Sequence, residues 1–70
     1  MLAEQMAVQA AAEQAVYEAK VDGSVLRVGE TARQIRSRYP QCNLLPKQIA
    51  DIVAREAIVA GVPLQFTDPN

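Results

Sequence analysis

Three kinds of side chain in this sequence could do chemistry: one thiol, a cluster of arginines and a carboxylate–guanidinium pair. Cys42 is the chain's one cysteine, and there is no histidine to activate it as a nucleophile. With no second cysteine it forms no internal disulfide, so we expect a quiet, partly buried thiol suited to a reducing cytoplasm. Arg27, Arg33, Arg36 and Arg38 lie within one short stretch whose one acid is Glu30. Such a cluster can meet phosphate groups, although a solvated helix face is the commoner outcome. Asp51 and Arg55 stand four residues apart, the spacing of an ordinary ion pair on a helix surface.

No two acids are spaced as a catalytic dyad, and general acid–base work at neutral pH usually wants histidine. Zinc lacks its Cys and His ligands and calcium lacks an acidic loop. Gly23, Gly29 and Gly61 stand singly, so no loop cradles a phosphate. We therefore expect no enzyme, no catalytic residue, no cofactor, no metal and no small-molecule ligand.

These residues must be positioned by a small scaffold. Seventy residues make one domain, near the lower limit for a core that folds unaided. Half the residues are apolar, mostly Ala, Val, Ile and Leu, and the net charge is −1. That balance argues against a polyanion binder held by bulk charge. A core this limited often gains its missing burial from a partner, the most available being a second copy. No stretch approaches transmembrane length, and no basic start followed by an unbroken apolar run marks a signal peptide.

The expected organisation is an Ala-rich N-terminal helix for association or docking over 1–20, a helix-turn-helix-like core over 21–66 and a polar tail over 67–70. The first helix has no Gly or Pro from 2 to 20. On its wheel Val8, Ala12, Ala15 and Ala19 form one narrow stripe of small residues, a surface on which a second helix could settle closely. Leu2, Met6 and Tyr17 lie on a different flank, with Glu13 between them. Asp22-Gly23 signals a turn, Val25 to Val28 a strand broken by Gly29, and Thr31 with Gln34 the capping-box start of a helix ending at Tyr39. Pro40 to Asn43 is a turn. Pro46 opens the last helix, from about Lys47 to Ala60, and Gly61 caps it. Val62 to Phe66 reads as a second strand that can pair with residues 24–28. No internal repeat stands out.

The last helix has an apolar arc of Ile49, Ala50, Val53, Ala54, Ala57 and Ala60. Ile58 and Val59 project on its polar side, with Ile52 bordering them, and together they suggest a contact surface. The expected core is Leu26, Val28, Ile35, Tyr39, Leu44, Leu45, Ile49, Val53, Leu64 and Phe66.

The order helix, strand, helix, turn, helix, strand resembles the winged-helix variant of the helix-turn-helix, with a truncated wing. That resemblance covers most of the chain and rests on order alone. It implies that the last helix enters the major groove. Lys47, Gln48 and Arg55 would then read bases, while Arg27, Arg33, Arg36 and Arg38 meet phosphates. The fold class expected is thus mainly α, a small three-helix domain with a short two-stranded ribbon. The function expected first is a protein–protein interaction module, homo-oligomeric or a subunit of a larger complex, using Val8, Ala12, Ala15, Ala19, Ile52, Ile58 and Val59. A DNA-binding regulator is the alternative.

Overall fold

The computed structural model describes residues 2–66, with side-chain surroundings from Met6 onward. The expected polar tail, 67–70, and the side chain of Leu2 lie outside the described residues. The described chain forms α1 (Leu2–Asp22), β1 (Leu26–Arg27), α2 (Val28–Arg38), α3 (Pro46–Ala60) and β2 (Leu64–Gln65). It is mainly helical, with three helices and one two-stranded sheet.

The ribbon pairs as expected, Leu26 opposite Leu64 and Arg27 opposite Gln65, but its strands run parallel. A parallel pair needs a long crossover, and here α2 and α3 together supply it. The pairing therefore differs from the hairpin of a wing. Pro63, which has no amide proton, contributes its carbonyl, accepting from the Leu26 N–H at 3.0 Å.

Two helices end in the same way. At α3, the Val62 N–H reaches the Ala57 carbonyl and the Gly61 N–H reaches that of Ile58, with Gly61 left-handed at φ 77°. At α1, the Ser24 N–H reaches Ala19 and the Gly23 N–H reaches Lys20, with Gly23 at φ 68°. Both are Schellman motifs, in which a residue free of a Cβ turns the chain and satisfies the last carbonyls. The segments around them are alike in sequence. Glu18 to Leu26 and Glu56 to Leu64 share Glu, Ala, Val, Gly and Leu at five of nine positions. The strand register matches these leucines to each other. The chain thus contains a short internal repeat, helix end, glycine, strand, that reading for longer periods misses.

α2 begins three residues earlier than expected. Val28 follows β1 directly and is buried in the helix with Gly29, so Gly29 does not break the chain. Arg27 occupies the N-cap position with no side-chain cap, and Thr31 lies inside the helix rather than capping it. Glu30 in the first turn suits the helix dipole and pairs with Arg27 at 3.0 Å. At the start of α3, Pro46 occupies the first turn, and the Gln48 side-chain oxygen accepts from the Leu45 N–H at 2.7 Å.

The core joins all three helices. Val8, Ala12, Val16 and Ala19 of α1 meet Ala32 and Ile35 of α2, Ile49, Val53 and Ala57 of α3, and Leu26, Cys42 and Val62 from the connections. Tyr39, Leu44 and Leu64 are half-buried against it. Two expected core residues are not there. Leu45 is exposed because it serves as the extended N-cap of α3 and its side chain leaves the domain. Phe66 is exposed because β2 ends at Gln65, so no pairing carries the strand's alternation far enough to fold the ring inward.

Candidate interaction surface

The small-residue stripe of α1 is spent inside the chain. Val8 and Ala12 are fully buried, Ala19 is buried and Ala15 half-buried, all packed in the common core. The stripe admits a close helix as its spacing implies, but that helix is the protein's own α3. A polar contact at the edge joins the two, Gln9 Nε2 donating to Glu56 at 2.9 Å. The stripe is therefore corrected from a docking surface to a core element.

The opposite side of α1 remains uncovered. Met6, Tyr17 and Val21 are 70%, 63% and 66% exposed. At 100° per residue they share an arc of about 60° with exposed Ala10. Apolar residues thus lie on both sides of this helix, and the domain's own core uses one. Sequence reasoning placed Met6 and Tyr17 together but assigned the contact to the alanines. The signal that separates the two sides is size, since small residues suit the tight in-chain crossing and larger ones are left outside.

On α3, Ile58 and Val59 are 67% and 85% exposed, so α1 does not fold over them. Ile52 is half-buried and packed on the core, and it belongs with the interior rather than with this pair. The polar residues of that outer side are exposed too, and Arg55 pairs with Asp51 at 3.0 Å. Gln48 is occupied in closing the first turn of the helix. Lys47 is exposed beside them.

Of the arginines, Arg27 is tied to Glu30, and Arg36 donates to the Pro40 carbonyl at 2.6 Å. Arg36 thereby latches the α2–α3 turn, which the Cys42 N–H also tightens by reaching the Tyr39 carbonyl at 3.1 Å. Arg33 and Arg38 line an open, shallow depression on α2 with Glu30, Gln34 and Ser37. Arg38 also borders a cleft of about 120 Å³ between α1 and α2, together with Gln14 and Glu18. Cys42 is buried, 3% exposed. Among the described residues no three His, Cys, Asp or Glu side chains gather as a metal set, and no helix is long and apolar enough to cross a membrane. No protein-family model, curated protein or solved structure matches the chain.

Proposed function

We propose that this chain is a small non-enzymatic protein–protein interaction module, either self-associating or a subunit of a larger complex. The observation that carries the reading is α1, a helix apolar on two sides with one of them unfilled by the domain itself. Exposed apolar residues scattered singly need no explanation. Met6, Tyr17 and Val21 aligned along one helix, and Ile58 beside Val59 on another, are more than scatter. A lone buried thiol fits a reducing cytoplasm as the place of action.

The competing reading, a DNA-binding regulator of winged helix-turn-helix type, is favoured by the exposure of Lys47, Gln48 and Arg55 on α3. Against it, Gln48 and Arg55 already have partners within the helix, and Asp51 places a negative charge on the side that would face phosphates. Charge variants separate the two. Arg33→Glu and Lys47→Glu together should abolish DNA binding and leave an apolar association standing. Replacing Met6 and Tyr17 by Lys should dissolve the association and leave DNA binding unchanged. If the first set removes a function that the second leaves intact, the interaction reading is wrong.

A further inference from the structure

We propose that the partner of the uncovered α1 side is a second copy of this chain, with the two α1 helices packed side by side and parallel about a two-fold axis. The proposal rests on the interaction reading above and names its partner. The argument is self-complementarity. Around the apolar arc of α1, Glu13 and Lys20 lie on one flank, while Gln14, donating to Glu18 at 3.1 Å, lies on the other, with Arg38 beyond it on the rim of the α1–α2 cleft.

A two-fold axis running along the helices swaps the flanks. On the swapped flanks Glu13 of one copy lies on the side of Gln14 and Arg38 of the other and Lys20 on the side of Glu18, each twice per dimer, so both charges of one flank meet an opposite charge. An antiparallel pair centred on the same arc keeps each flank with its own kind and sets Glu13 against Glu13. That like-charge contact disfavours it. Along the parallel seam, Met6, Tyr17 and Val21 each meet their own counterpart, and Ala10 lets the backbones approach closely. The seam from Met6 to Val21 is about 22 Å long at about 1.5 Å per residue.

The test combines solution mass with two sets of variants. Met6→Cys is on an exposed position, so folding is not at stake, and the native Cys42 is buried and serves as the silent control. In the parallel pair the introduced thiols are neighbours, and mild oxidation should give a covalent dimer. In an antiparallel pair they stand about 22 Å apart and stay free. Glu13→Lys alone and Arg38→Glu alone should each weaken the dimer by about tenfold at low salt, and the double swap should restore it. A dimeric mass without the cross-link, or without rescue by the swap, overturns the helix pairing and leaves self-association in place. A monomeric wild-type chain removes both.

Discussion

Leu26 and Leu64 stand opposite each other in a parallel ladder, and each follows a left-handed glycine at the same spacing. This relationship organises the domain. One helix end and strand, Glu18 to Leu26, is met by a second of like sequence, Glu56 to Leu64, while α2 and the body of α3 form the crossover between the strands. The buried alanines Ala19 and Ala57 occupy equivalent positions, as do the exposed valines Val21 and Val59.

The two glycines should behave alike. Neither has a neighbour within 4 Å of where a Cβ would stand, so the cost of a side chain is backbone strain alone. Gly23→Ala and Gly61→Ala should each destabilise by about 1–2 kcal/mol. Chemical denaturation of both variants checks this, and a neutral result at either position would mean that its turn is not held left-handed.

The interior of the domain tolerates little change. Ile49 is fully buried, and Ile49→Ala should cost about 2–5 kcal/mol, much of the stability of a domain this size. Ala12 is equally enclosed, so Ala12→Leu should cost about 1–3 kcal/mol by overpacking. Were Ala12 on a free docking surface, the larger side chain would be harmless, and thermal melts distinguish the two.

Leu45 and Phe66 should be dispensable. Leu45→Ser and Phe66→Ser remove exposed side chains and should shift stability by less than about 0.5 kcal/mol. A large loss in either melt would return that residue to the core.

Arg36 has a structural task. Arg36→Ala removes the donor to the Pro40 carbonyl and should loosen the α2–α3 turn, at a cost of about 1 kcal/mol. Amide exchange at Cys42 should accelerate in this variant more than exchange within α3. Uniform protection across both would show that the turn holds itself.

Much of this architecture was legible in the sequence. Proline and glycine punctuation located α3 within a residue, because Pro46 and Gly61 act through local backbone geometry that tertiary context does not override. The ribbon and its partners were legible from β-branched runs, but its direction was not, since pairing orientation depends on how α2 and α3 return the chain. The start of α2 was misplaced because Thr31 and Gln34 mimic a cap, whereas β1 feeds the helix directly through Val28. The candidate surface was legible only by half. Ile58 and Val59 stand out against charged neighbours, but an alanine stripe reads the same whether it meets a second copy or the chain's own α3. The arginines' ties to Glu30 and Pro40 were equally hidden, since they depend on side-chain reach.

The central claim is that the uncovered side of α1 drives association, and solution mass by light scattering coupled to size exclusion tests it most directly. The wild-type chain should run as a dimer that persists at high salt, because Met6, Tyr17 and Val21 associate by apolar burial that screening does not weaken, and Tyr17→Lys should reduce it to a monomer. A wild-type chain that is monomeric at both salt concentrations, or a Tyr17→Lys variant that remains dimeric, would contradict the account.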